Sequence, residues 1–445
     1  MIVLFNCCKK SRRFLLACLI TGSHFALAQS HKFDFGTGKV EKGYVQVTPE
    51  MLYSAAKGFG FLPGTVVRSV NGKGKNNLQS DYVTADSAFF FSVKIPEGNY
   101  DVKLITGDEN GTSETTMKVE CRRLMLENIN TKTGEFATSV FTANVRTPQI
   151  NASEKITLKP REFDYLHWDD QLTFEFTGKQ PKICALEITR NETAKTIFLA
   201  GNSTVVDQAI EPFASWGQMI PRFFQSKSVV VANYAESGES LRSFFGAKRS
   251  SKILSQMKKG DYLFIEFAHN DQKQKDLLPF VGYKALLEKF INEARAKGGI
   301  PVLVTSMHRR SFDSTGHIIN TLGDFPEAMR QTAKEQNVGL IDLNAMSKIL
   351  WEAMGEENSK KAFVHFAANS FPGQKEAFKD NTHFTNYGAY QLAKCIIEGI
   401  KKTGSDLASY LLPGLPAYYP AHPDSYSDFN FPLSPLVKTV KPDGN

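Results

Sequence analysis

Ser203 stands just past an apolar run, Thr196-Ile197-Phe198-Leu199-Ala200, from which Gly201-Asn202 separates it. That order reads as a buried strand that ends abruptly and presents a hydroxyl at its carboxyl end. In open α/β sheets this edge is where ligands bind. The hydroxyl is a candidate nucleophile, although most Gly/Asn/Ser clusters after a strand are plain turns. Chemistry at Ser203 therefore requires a base, an orienting acid and oxyanion donors from elsewhere in the chain. Three segments can supply them: Tyr234-Ala235-Glu236-Ser237-Gly238-Glu239-Ser240, Ala268-His269-Asn270-Asp271 and Asp380-Asn381-Thr382-His383-Phe384-Thr385.

Acyl transfer needs what this set offers. A serine hydroxyl is a poor nucleophile until a base removes its proton, and His383 can do so. Asp380, three residues earlier, can fix the imidazole tautomer and stabilise the imidazolium. On a turn or one helical step, positions i and i+3 share a face, so one short segment can hold both. The tetrahedral oxyanion needs fixed donors, for which the N–H groups of Ser203 and Gly238 and the side-chain amide of Asn270 are candidates. Each element alone has a bland alternative: a turn glycine, a helix-capping Asp271, a surface Asp–His hydrogen bond. Their joint occurrence, in order and with the first two at successive strand ends, favours catalysis. His269 is expected to make a structural hydrogen bond. His308-Arg309-Arg310 follows another strand end, and Arg309 or Arg310 could hold a ligand carboxylate in a bidentate contact. A solvated or salt-bridged arginine is the simpler reading at both positions.

The elements that must position these residues fall into two grammars. From Lys32 to about Arg190 short alternating strands, such as 88–93, 100–105 and 172–176, are separated by turns, which predicts a β-sandwich of jelly-roll type. After about Thr193 the pattern becomes strand, helix, strand. Strands are expected at 196–200, 229–235, 262–268, 300–305 and 338–343. Tyr283, Leu286, Leu287, Phe290, Ile291 and Ala294 recur at helical spacing, and Gly298-Gly299 ends that helix. Ala345, Met346, Ile349, Leu350 and Ala353 mark another, and the Asp380 segment opens a last helix through Tyr390, Leu392 and Ile396. Short apolar strands alternating with helices imply a parallel sheet covered on both faces. From Leu412 onward the chain is rich in Pro and aromatics and reads as an extended tail on the surface.

The four blocks around Ser203, Gly238, Asn270 and Asp380-x-x-His383 resemble those of the SGNH (GDSL-type) hydrolases. Within that superfamily they are most similar to the rhamnogalacturonan acetylesterases, carbohydrate esterase family twelve, over about residues 195–405. The resemblance implies a flavodoxin-like three-layer α/β/α domain without cofactor or metal. It makes Ser203 the nucleophile, Asp380 and His383 the rest of the triad, and Ser203, Gly238 and Asn270 the oxyanion hole. The N-terminal part resembles the galactose-binding-like modules that precede some bacterial members. Two positions depart from the family pattern: Asn202 replaces the usual Asp, and Ala268 the usual Gly. The turn should survive Asn202, whereas Ala268 could displace Asn270 slightly.

Composition bounds the rest. At 445 residues, with 42% apolar and 22% charged side chains, two globular domains are expected. Lys9, Lys10, Arg12 and Arg13 precede the apolar run 14–20 and an Ala26-Leu27-Ala28 site, the signature of a signal peptide cleaved before Gln29. A lipoprotein site at Leu16-Ala17-Cys18 is the lesser alternative. The expected layout is 1–28 signal peptide, 29–192 β-sandwich, 193–410 catalytic domain and 411–445 tail. Cleavage leaves 49 basic and 46 acidic side chains, so most of the formal +7 belongs to the leader. No basic run interleaved with aromatics supports nucleic-acid binding, and no second apolar run suggests a membrane span. Of the cysteines that remain, Cys121 and Cys184 could pair, though buried thiols are the simpler reading. The reading that emerges is an exported serine esterase acting on acetylated polysaccharide, with rhamnogalacturonan or pectin implied by the resemblance. A lipase, thioesterase or peptidoglycan deacetylase on the same scaffold and a non-catalytic glycan binder are the alternatives. Sequence leaves oligomeric state open.

Overall fold

A computed structural model describes residues 30–436 and 442–443; the expected signal segment lies outside the described residues. Residues 30–190 fold into two facing β-sheets of seven and five strands. The predicted strands are present as Phe89–Lys94, Gly98–Gly107 and Gln171–Gln180. Their alternation places Phe91, Val93, Val102, Leu104, Phe174 and Phe176 in one apolar core between the sheets.

The second unit is a parallel five-stranded sheet: β1 (Lys195–Ala200), β2 (Val229–Asn233), β3 (Tyr262–Ile265), β4 (Ile300–Val304) and β5 (Gly339–Ile341). The order β2-β1-β3-β4-β5 is that of the flavodoxin-like sheets, with a switch point between β1 and β3. Period-two side-chain direction serves both faces. Ile197, Leu199, Val231, Phe264 and Val304 enter one core; Phe198, Ala200, Ala232, Leu263 and Leu303 enter the other.

Helices cover both faces. The second core holds α2 (Leu241–Gly246), α3 (Arg249–Gln256), α4 (Lys284–Ala296) and α5 (Phe325–Glu335). Leu287, Phe290, Ile291 and Ala294 of α4 are buried, as the helical spacing requires. The first core is covered by α1 (Trp216–Met219), α6 (Leu343–Ser359) and α7 (Asn386–Lys402). Ahead of α7, β6 (Phe363–Phe366) and β7 (Phe378–Phe384) form an antiparallel ribbon. Asp380 and His383 therefore lie on a distorted strand that precedes the helix. Register jumps from Phe363↔Phe384 to His365↔Lys379, which forces residues 380–383 out of the ladder.

The two units share a charged, buried seam. A sandwich loop places Arg122 against Glu211 at 2.6 Å and Arg123 against Asp207 at 2.9 Å, with all four side chains at most 1% exposed. Leu124, in the strand that follows, joins the first core of the catalytic unit. The tail packs more deeply than a surface strand. Tyr418 and Ser434 are buried, and Lys118 of the sandwich donates to Pro432 O. Cys121, Cys184 and Cys395 are free and buried, so Cys121 and Cys184 do not pair. Among the described residues, no helix is long and apolar enough to cross a membrane.

Candidate active site

β1 stops at Ala200 because the next residue must be small. A Cβ on Gly201 would lie 2.5 Å from Val205 Cγ2 and 3.2 Å from Glu266 O. Asn202 then folds the turn: its Oδ1 accepts from Thr204 N at 3.0 Å and from Thr204 Oγ1 at 2.9 Å. Asn thus does the hydrogen bonding that an Asp could do here, and the turn survives the departure. Ser203 lies at the turn's apex, with Gln208 Nε2 donating to its carbonyl at 2.7 Å.

The ribbon brings its distorted segment to the same point. His383 Nε2 is 2.9 Å from Ser203 Oγ, and His383 Nδ1 is 2.8 Å from Asp380 Oδ2. The other Asp380 oxygen accepts from the amides of Thr382 and His383, at 2.8 and 3.0 Å. Those two bonds curl the backbone, which lets an i, i+3 pair on a strand face one another. Burial favours the neutral acid at Asp380. The hydrogen bond and charge of His383, together with the two amides, outweigh it and hold the carboxyl well below the usual range. An ionised acid, an imidazole and a hydroxyl in one buried chain can pass a proton away from Ser203 Oγ.

The loops that carry Gly238 and Asn270 are docked together beside this segment. Glu236 N donates to Gly201 O at 3.2 Å, docking the 236–239 loop beside the Ser203 turn. Within that loop Gly238 has φ +80°, a left-handed value that favours glycine. Asn270 Nδ2 donates to Glu239 O at 3.0 Å, which brings the third block against the second. The N–H groups of Ser203 and Gly238 donate to no atom among the described residues. Asn270 keeps its contact with the loop despite Ala268 before it. Asp271 does cap a helix, but α2 rather than its own: its Oδ1 accepts from Leu241 N at 2.8 Å.

The other histidine and the arginines have structural environments. His269 makes no side-chain hydrogen bond among the described residues, contrary to expectation. Its segment is held through the main chain, where Arg309 Nη2 donates to His269 O at 3.3 Å. Burial, then the Arg309 charge, keeps the His269 ring neutral, well below the usual histidine range. Arg309 also donates to Thr382 Oγ1 and Thr321 Oγ1, both at 3.2 Å, bridging the triad ribbon to its surroundings. Arg310 is buried and donates to Ser359 Oγ, Asn381 Oδ1 and Glu356 O. It anchors the ribbon to α6.

Sequence reasoning passed over Glu266. Fully buried at the end of β3, it accepts from Thr204 Oγ1 at 3.0 Å, Trp216 Nε1 at 3.2 Å and Ser306 Oγ at 2.5 Å. One carboxylate thus ties the Ser203 turn to three other segments. The available signal was a single acidic residue inside the apolar run Tyr262–Phe267. Lys159 and Arg161 of the sandwich, which reach the Gly238 loop, left no such signal.

Residues 31–154 match a family described as beta-agarase/YXIM esterase-like, galactose-binding domain-like, and residues 197–396 match GDSL-like lipase/acylhydrolase. The chain is 44% identical to rhamnogalacturonan acetylesterase RhgT of Bacillus subtilis (strain 168), over 48% of this chain and 94% of that protein. This chain belongs to the GDSL-like (SGNH) hydrolases. It is a carboxylic ester hydrolase with a galactose-binding-like domain ahead of the catalytic fold. A probable rhamnogalacturonan acetylesterase of the same organism, YesY, is 34% identical over 49% of this SGNH hydrolase and 98% of its own length. An uncharacterized esterase, YxiM, is 27% identical and spans both units, with 84% of this chain and 91% of the relative covered.

Proposed function

We propose that this SGNH hydrolase is an exported acetylesterase that removes O-acetyl groups from rhamnogalacturonan or a related pectic polysaccharide. The observation that carries the mechanism is the buried hydrogen-bonded chain Ser203 Oγ–His383–Asp380. Likeness to RhgT and YesY supports the substrate. In this reading His383 Nε2 takes the Ser203 proton as Oγ attacks the acetyl carbonyl. The oxyanion is received by the N–H groups of Ser203 and Gly238 and by Asn270 Nδ2. His383 returns the proton to the departing sugar oxygen, leaving an acetyl-serine and a free hydroxyl. Water then attacks the acetyl carbon while His383 again accepts a proton, and acetate leaves with Ser203 restored. Each oxyanion donor is worth about 3 kcal/mol in the transition state.

A cleft lined by Arg161, Tyr165, Gln208, Ile210 and Ser237 lies beside the 236–239 loop. Ser203→Ala, assayed by acetate release from acetylated rhamnogalacturonan, xylan and short acyl esters, is expected to be inactive on all with its fold intact. Retained turnover would refute Ser203 as nucleophile. A parent enzyme that releases acetate only from xylan or short esters would refute the pectic substrate.

A further inference from the structure

The peptide unit that joins Ser237 to Gly238 has cations on one end. Lys159 Nζ and Arg161 Nη2 both donate to Ser237 O, the latter at 2.8 Å. The N–H of that same peptide is the Gly238 group assigned above to the oxyanion. Both cations come from the segment 159–164, which belongs to the sandwich side of the chain.

Their placement is built. Arg161 Nη2 and Nε hold Glu236 Oε1 at 2.5 and 3.0 Å, and Lys159 Nζ is 2.9 Å from Glu239 Oε1. The turn behind them is pinned in turn. Lys159 N donates to Glu162 Oε2 at 2.7 Å, and Glu162 forms a fully buried ion pair with Arg249 of α3 at 2.5 Å. Asp443 near the C-terminus also reaches Arg161. Lys159 Nζ would lie only 3.2 Å from a Cβ on Gly238. A side chain there would crowd the cation as well as strain a φ of +80°.

We propose that Lys159 and Arg161 polarise and fix the Ser237–Gly238 peptide, so that a loop of the β-sandwich unit contributes to oxyanion stabilisation. The inference rests on the oxyanion role proposed for Gly238. A cation on a carbonyl oxygen draws electron density through the amide and makes its N–H a stronger donor, as in any polarised hydrogen-bond chain. The two charges also lie one peptide away from the developing oxyanion. Glu236, Glu239 and Asp443 share these cations, which limits their field at a distance but leaves the contact with Ser237 O intact. Lys159 and Arg161 touch no reacting atom; they are positioning residues that act through Gly238.

The test uses the full chain and 4-nitrophenyl acetate, a small activated ester that reports the acyl-transfer step without polysaccharide contacts. Lys159→Gln keeps a hydrogen-bond donor near Ser237 O and removes its charge, whereas Lys159→Arg keeps both. Expected are a fall in kcat of about tenfold for Lys159→Gln, less than the loss of a whole donor, KM within about twofold, and recovery of most of the loss in Lys159→Arg. Lys159→Gln/Arg161→Gln should fall further, again in kcat. Thermal unfolding of each variant checks the fold; should the double variant fail to fold, the Lys159→Gln and Lys159→Arg pair decides alone. Parental kcat in Lys159→Gln, with Ser203→Ala inactive, would overturn the polarisation and leave the serine assignment standing. Activity in Ser203→Ala would instead remove the reading on which it rests.

Discussion

Arg122→Met would test whether the sandwich is a structural part of the esterase or a separable module. Arg122 is 1% exposed and reaches across the seam to Glu211 at 2.6 Å, Phe213 O at 2.7 Å and Asn386 Oδ1 at 2.9 Å. Methionine fills much of the volume but donates nothing. Glu211 would retain Asn386 Nδ2 and the Ser434 amide, so it would keep neutral partners and lose its charge partner. Breaking one side of a buried pair costs about 3–5 kcal/mol, and the two retained partners argue for the lower part of that range. Total stability is typically about 5–15 kcal/mol, so the loss is large. The perturbed loop, 207–213, follows Ser203 and abuts the start of α7, so kcat should fall with stability. Denaturant unfolding and acetate release on the same preparation measure both. A change below about 1 kcal/mol with unchanged kcat would refute the claim that this seam holds the Ser203 turn.

Two further outcomes follow from the site. Asp380→Asn keeps an oxygen for the Thr382 and His383 amides but no longer stabilises an imidazolium, so the fold should persist while kcat falls by roughly 10³–10⁴; a loss under tenfold in acetate release would refute the triad. Asp271 gives a pH effect: burial pushes its carboxyl up to about 7, against about 4 when unfolded. Between those values the folded state keeps a proton that the unfolded state has lost, so this group's contribution to stability declines as pH rises from about 4 to about 7. Asp271→Asn, which can still accept from Leu241 N, should match the parent near pH 4 and exceed it above pH 7 by up to ~4 kcal/mol. Parallel stability–pH curves from denaturant unfolding would refute this.

The parallel sheet was legible in sequence because its strands are short, apolar and buried on both faces, and because α4 keeps one stripe from Leu287 to Ala294. The segments of Ser203, Gly238 and Asn270 could be expected to meet because strand ends in such a sheet converge, and they do pack against one another. The geometry of Asp380 and His383 was only half legible. Spacing of three suggested a turn or a helical step, and the pair meets where the Asp380 carboxylate curls a strand whose ladder is broken at 380–383. Nothing in residue spacing announces a register jump set by the partner strand. The arginines were the hardest to place. Arg309 and Arg310 follow a strand end, as a ligand contact would, but they bind Thr382, His269 O, Asn381 and Ser359. Arg122, Lys159 and Arg161 lie far from the site in sequence and reach it only because the two units pack together.

The polar residues under Ser203 explain why the site tolerates so much buried charge. Glu266 is fully buried, and burial raises its carboxyl above the usual range. Left unpaired it would be costly, but Thr204, Trp216 and Ser306 each donate to it from separate segments. Asn233, at the end of β2, likewise donates to Val205 O and Asp207 Oδ1, at 2.6 and 2.8 Å. Apolar packing could fill the same space, but it has no direction. These bonds fix the heading of the chain on either side of Ser203, and Arg123 of the sandwich closes the network on Asp207 at 2.9 Å. In the proposed mechanism the Ser203 hydroxyl must meet His383 Nε2 at hydrogen-bond distance, which needs direction more than added stability. Catalysis then depends on donors that do not reorganise during attack. The seam between the two units is therefore polar for the same reason that the site is: both hold a turn in one orientation.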